Sequence, residues 1–253
     1  MHQPRFLLLL KRCWFENRRS WLIGAAAIAV ITTFLLLLAW QWRTSFNGDT
    51  VRGIFLIMLF AGGGIFMSGM LNDLGDKHKG IWLLNLPASA GAKLAVAGIY
   101  GIIGYLAVYF GVFFAARGAV VSVFGAEGNS WGELDLLKNN FYEFLFIFID
   151  FQLIVLLGSV YFNKNQLLKT LLVLLGALFV FFNGNDVVLK WMTGAESILS
   201  NIPMSGFQFA YRGENIDINT PAAVQTSVSI LMWVLVPLTL WLISLFRLKE
   251  KEL

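Results

Sequence analysis

Long apolar runs alternate with short polar or basic stretches along the whole chain. Six runs are long enough to cross a bilayer: Trp21–Trp40, Ile54–Leu71, Leu94–Ala115, Phe141–Phe162, Leu167–Leu189 and Thr226–Phe246. A crossing needs about 20 mostly apolar residues, because the hydrocarbon is roughly 30 Å thick and a helix rises about 1.5 Å per residue. Backbone polar groups in hydrocarbon must bond internally, and the sequence has no period-2 alternation that would support a barrel, so the runs predict helices. Run two carries Gly62, Gly63, Gly64 and Gly69. Run five turns polar at Asn183-Gly184-Asn185-Asp186, so its dry part is expected to stop near Phe182.

The stretches between the runs are uneven. Residues 4–19 precede the first run and predict a separate helix, with Pro4 suited to its first turn. At helical spacing Arg5, Lys11, Arg12, Glu16, Arg18 and Arg19 fall on one side. Phe6, Leu7, Leu9, Leu10, Cys13 and Trp14 fall on the other, and Leu8 and Phe15 break the pattern. A basic amphipathic helix beside a span lies in the membrane interface; the plainer alternative is a basic topogenic anchor. Between runs two and three, residues 72–93 hold Ile81, Trp82, Leu83, Leu84 and Leu86 beside Asp76, Lys77 and Lys79. A mere connector would be shorter and more polar, so this loop predicts a short docking helix. Pro87 would end that helix, and Ser89 is a candidate N-cap for the next. Two other loops are long: 117–140, and 183–225, where Ile198–Phe209 has the pattern of a short surface or re-entrant helix. No internal repeat suggests inverted symmetry.

Composition narrows the class. Of 253 residues, 58 % are apolar and 13 % charged, about half the charge of a soluble domain. That excludes a water-soluble globule and a disordered chain, and leaves one polytopic membrane domain over residues 1–253: an all-α integral membrane protein, six transmembrane helices with an N-terminal amphipathic interfacial helix. Placing the N-terminus inside puts 13 of the 19 Lys and Arg on the cytoplasmic side and leaves Arg43, Arg52, Arg117, Lys138, Lys190 and Arg212 outside. Both termini are therefore expected in the cytoplasm, and the net charge of +4 reflects topology rather than affinity for nucleic acid. The basic N-terminal stretch and the first run both outlast those of a signal peptide. One Cys and two His supply neither a disulfide framework nor a metal site, so no metal is expected.

Candidate chemistry is sparse. Asp150 stands near the middle of run four, with Glu143 seven residues earlier on the same helix face. A charge at the bilayer centre costs about 2.5–3.5 kcal/mol, so Asp150 is expected to face protein or water. It is either a substrate or proton site, or structural glue bonded to Tyr, Trp or Ser on a neighbouring helix; Glu143 is expected at the interface. Gly62, Gly63, Gly64, Ser68 and Gly69, and Gly98, Gly101, Gly104, Ala107 and Gly111, form small-residue stripes that predict close helix packing. Phe179–Phe182 reads as bulk facing lipid or a dimer partner. No Gly-x-x-x-x-Gly-Lys-Ser/Thr and no His-Glu-x-x-His occurs. Ser68-Gly69 follows Phe66 where an intramembrane serine protease needs Gly, and Asn183-Gly184-Asn185-Asp186 is not the Gly-x-Gly-Asp of presenilin-type proteases. No catalytic residue is assigned.

The layout of elbow helix, six spans, cytoplasmic loop after span two and long outer loop before span six resembles the type-2 permease family of ATP-binding-cassette (ABC) transporters. Asp76-Lys77-His78-Lys79-Gly80 followed by Leu86-Pro87-Ala88-Ser89 is similar to the stretch that leads into span three in that family, and Phe15-Glu16-Asn17-Arg18 is similar to the start of Bacteroidetes-type members. Gly91-Ala92-Lys93 departs from relatives that carry an acidic residue before the Lys. The resemblance implies an exporter permease in a bacterial inner membrane, paired with itself or a homologous permease and embedded in lipids. It implies no cofactor on this chain; ATP and Mg²⁺ would sit on a separate P-loop ATPase. Ile81, Trp82, Leu83 and Leu84 would bury against that ATPase, Asp76, Lys77 and Lys79 would fix register, and Gly80 and Pro87 belong to the same coupling segment. Other expectations from the residues are an ion-coupled carrier using Asp150 and a non-transporting scaffold.

Overall fold

The computed structural model describes residues 3–41, 48–71, 88–124, 141–194, 197–202, 206–211, 214–219 and 221–252. Six helices among them are long and apolar enough to cross a membrane. These are α1 (Gln3–Gln41), α2 (Gly48–Met70), α3 (Ala90–Gly98, a π-helical turn Ile99–Gly104, then Tyr105–Phe124), α4 (Phe141–Tyr161), α5 (Gln166–Thr193) and α6 (Ala222–Ile230, a π-helical turn Leu231–Leu235, then Val236–Glu252). The protein is an all-α membrane protein in its crossing part. Between α5 and α6 lies a small antiparallel sheet of β1 (Ser197–Ile202), β2 (Gly206–Tyr211) and β3 (Glu214–Asn219), in that order.

Two expectations change. Residues 4–19 are not a separate helix; they run without a break into the first span as one helix of 39 residues, about 58 Å long. Nothing between Pro4 and Gly24 interrupts it, since that stretch holds neither Gly nor Pro and is rich in Leu, Arg and Lys. Helix α5 covers the expected run and continues to Thr193, with the polar stretch after Phe182 also helical. Asn183 Nδ2 donates to the Phe179 carbonyl at 2.7 Å and Thr193 Oγ1 to that of Leu189 at 2.7 Å, so these polar side chains bond back onto the helix. It ends at Gly194, whose φ of +64° is open to glycine and whose N–H bonds the Lys190 carbonyl at 2.9 Å. The helix expected over Ile198–Phe209 is instead β1 and β2, with Asn201 opposite Phe207 and a register shift between Ile198 and Ser200. Pro203 forbids a helix interior there, and the period-2 pattern of Phe207, Phe209, Ile216 and Ile218 suits strands.

The π turns have separate causes. Pro237 lacks the N–H that would close the normal ladder, and the π turn of α6 lies just before it. That of α3 lies among Gly98, Gly101 and Gly104.

The chain forms two compact units, Met1–Leu167 with Leu240–Leu253, and Leu168–Thr239. In the first, two buried clusters mark opposite ends. One holds Leu36, Val51, Phe55, Phe113, Val120 and Phe148; the other holds Met67, Leu71, Ala90, Leu94, Leu156 and Leu248. Within this unit α2, α3 and α4 thus run in alternating directions. The end of α2, the start of α3, the end of α4 and the end of α6 share the second cluster. The second unit carries most of α5 and the first part of α6, with the sheet between them. Its helices expose Leu172, Phe179, Val180, Trp191 and Leu235.

Candidate functional site

The site begins at the two helix ends that flank residues 72–87. Leu71 closes α2 at 3 % exposure and Ala90 opens α3 at 3 % exposure, both in the cluster of Leu94, Leu156 and Leu248. Ser89 caps α3 as expected: its Oγ accepts from Ala92 N–H at 3.3 Å. The coupling residues Asp76, Lys77, Lys79, Gly80, Ile81, Trp82, Leu83, Leu84 and Pro87 lie outside the described residues.

A seam of aromatic and small side chains runs from this end into the bundle. Gly98, Gly101 and Gly104 on α3 each receive a bulky side chain from a different helix. A Cβ on Gly98 would meet the Trp241 ring at 2.9 Å, one on Gly101 would collide with the Met67 sulfur, and one on Gly104 would meet Trp21 at 2.5 Å. Trp21 packs edge-on against Phe66 at 4.5 Å and Tyr100 at 5.6 Å. Tyr100 donates to the Leu10 carbonyl at 2.9 Å, tying α1 to the π turn of α3. The small-residue stripes thus act as packing seats at these positions, whereas Gly69 and Gly111 face open space.

The basic N-terminal stretch has one inward stripe. Phe6, Leu9, Leu10, Cys13 and Asn17 are partly buried, while Leu7, Leu8, Lys11, Arg12, Trp14, Phe15, Arg18 and Arg19 are exposed. Arg12 pairs with Glu16 at 2.7 Å, Arg18 lies over the Phe15 ring, and Trp14 packs against Trp21 at 5.8 Å. Leu7 and Trp14, grouped by spacing with the inward residues, face outward instead. The inward stripe follows the α3 contact at Leu10, and one helix cannot turn both flanks to it. The side chain of Arg5 lies outside the described residues.

The intramembrane polar groups fall on two faces of α4. Phe148, Gln152, Leu156 and Ser159 are fully buried along one stripe. Asp150 stands about 200° round the helix from Gln152; it is half-buried and makes no hydrogen bond or ion pair among the described residues. The bond to Tyr, Trp or Ser that structural glue requires is not made there. Glu143 sits in the first turn of α4, where the helix dipole favours an acid.

Gln152 is the polar residue that spacing did not single out. It is 0 % exposed, neither amide atom has a hydrogen-bond partner among the described residues, and a Cβ on Gly63 would collide with its Nε2. Nearby, Tyr105 donates to the carbonyls of Met58 and Leu59 at 3.2 Å, and Tyr109 to that of Phe55 at 2.7 Å. The signal was present as one amide within an apolar run, but choosing between Asp150 and Gln152 needs the buried face of α4. Among the described residues, no three His, Cys, Asp or Glu side chains come together as a metal site.

Comparison of the chain with protein-family models, curated proteins and solved structures gives no match in any of the three. The class rests on the fold alone: an all-α polytopic membrane protein.

Proposed function

We propose that the chain is the membrane-spanning permease subunit of an ATP-driven ABC exporter. A separate P-loop ATPase holds ATP and Mg²⁺ and grips residues 76–87, while this chain performs no hydrolysis. Both termini lie in the cytoplasm of a bacterial inner membrane, and two permease subunits, identical or homologous, pair within it.

One observation carries the reading. The residues on either side of the loop, Leu71 and Ala90, are seated in one buried cluster with helices α4 and α6. A force applied to the loop therefore reaches four helix ends at once, as a two-state membrane domain driven from outside requires. The apolar residues Ile81–Leu84 supply the grip, and Asp76, Lys77 and Lys79 the polar rim. The orientation is supported by Lys93, Lys164, Arg247, Lys249 and Lys251, assigned to the inside by charge, which belong to the helix ends around that cluster.

A tagged chain isolated from its own membranes is expected to bring down a P-loop ATPase. Trp82→Asp with Leu83→Asp is expected to reduce the captured ATPase by at least about tenfold, the scale of losing a buried apolar anchor, with chain yield unchanged. Equal capture by both forms would contradict the reading. A second reading, a lone ion-coupled carrier, draws on the carboxylate of Asp150, which has no partner among the described residues; it requires transport by the purified chain without ATP.

A further inference from the structure

The end of α6 and the turn between α4 and α5 form a cationic clamp to which the exporter reading assigns no ligand. Two contacts join them. Arg247 stacks over the Tyr161 ring at 4.9 Å, and Lys251 Nζ donates to Asn163 Oδ1 at 3.2 Å. Arg247 and Lys251 are one turn apart on the same helix, and like charges at that spacing repel. Lys164, next to Asn163, is exposed and adds a third positive charge to the same turn. The turn is fixed by Asn165 at a φ of +52°, a conformation that Asn tolerates. Glu250 pairs with Arg247 and offsets one charge. The remainder calls for an anion.

The surroundings say what kind. One turn below Arg247 on α6, Ile243 is 52 % exposed, and Tyr161 is 56 % exposed beneath the guanidinium. Cations sit above an uncovered apolar strip at the end of membrane-crossing helices. A phosphodiester with acyl chains satisfies both halves; a free phosphate satisfies only the first.

We infer that Lys164, Arg247 and Lys251, with Asn163 and Tyr161, bind the headgroup of an anionic phospholipid. Diffuse attraction to an anionic surface would depend only on charge. The clamp instead depends on the residues that meet the turn. Lys249 is the internal control, because it leans over Phe246 on its own helix rather than toward Asn163.

The test is native mass spectrometry of the purified full chain in neutral detergent, given equal phosphatidylglycerol and phosphatidylcholine with matched acyl chains. The wild type is expected to retain phosphatidylglycerol preferentially. Lys251→Gln and Lys164→Gln are each expected to lower that retention about fivefold, the effect of one basic residue at a charged membrane surface, and Lys249→Gln to leave it unchanged. Lys164→Gln removes no described contact, so it keeps the test decisive should Lys251→Gln unfold. Equal loss from Lys249→Gln, or no preference in the wild type, overturns the inference. Displacement of the lipid by excess inorganic phosphate overturns the lipid assignment and leaves a phosphate site. None of these outcomes depends on an ATPase partner.

Discussion

Gln152 and Asp150 are two residues apart and do different physical work. Gln152 is buried against Gly63 with an unanswered amide, and an unpaired buried polar group costs about 1–3 kcal/mol. Gln152→Leu is therefore expected to raise thermal stability in detergent, while Gly63→Ala, which forces a methyl into Gln152 and Phe148, is expected to lower it by about 1–3 kcal/mol. Intrinsic-fluorescence melting checks both; destabilisation by Gln152→Leu would mean that the amide has a partner. Asp150 has no described partner to lose, so Asp150→Asn is expected to leave stability unchanged or raise it, since it removes a charge from the membrane. A loss of about 3 kcal/mol or more, the scale of a broken buried pair, would restore the structural-glue role. The presence of a polar residue in run four was legible in the sequence. Which polar residue meets the packed seam was not, because both faces of α4 are apolar and periodicity does not mark the buried one.

At the scale of elements, the six crossings were legible because hydrophobic length alone specifies them. The start of α3 was legible as well, because Ser89 carries cap chemistry in its side chain. Ser89→Ala is expected to cost about 1 kcal/mol, the usual worth of an N-cap, and to speed hydrogen exchange in the first turn of α3 relative to Ala107–Phe113. Unchanged exchange at Ala90–Leu94 would show that packing against Leu71 and Leu248 alone holds that turn. The last turn of α5 lies beyond the expected span, and Asn183 and Thr193 donate back to the helix. The sheet was hidden because the window Ile198–Phe209 straddles two strands, so helical spacing matches it by accident. The continuity of α1 was hidden because a change from basic to apolar composition marks a change of environment and not a break in the backbone.

At the scale of the molecule, alternating helix directions bring the two ends flanking residues 72–87, the α4–α5 turn and the end of α6 around one buried cluster. The packing of that cluster was not readable from the sequence, which shows that a greasy loop exists but not that its ends are braced by α4 and α6. The exporter account turns on whether an external ATPase holds this loop. Cys13 is the only cysteine, so Cys13→Ser with Trp82→Cys gives a single thiol at the proposed grip. The decisive measurement is thiol-specific crosslinking from position 82 in native membranes, with and without ATP and vanadate. The account predicts a crosslinked adduct containing a P-loop ATPase, with a yield that changes when nucleotide is trapped, and slow labelling of that thiol by a soluble maleimide. A thiol that labels as fast as a free peptide and captures no ATPase in either state would contradict it.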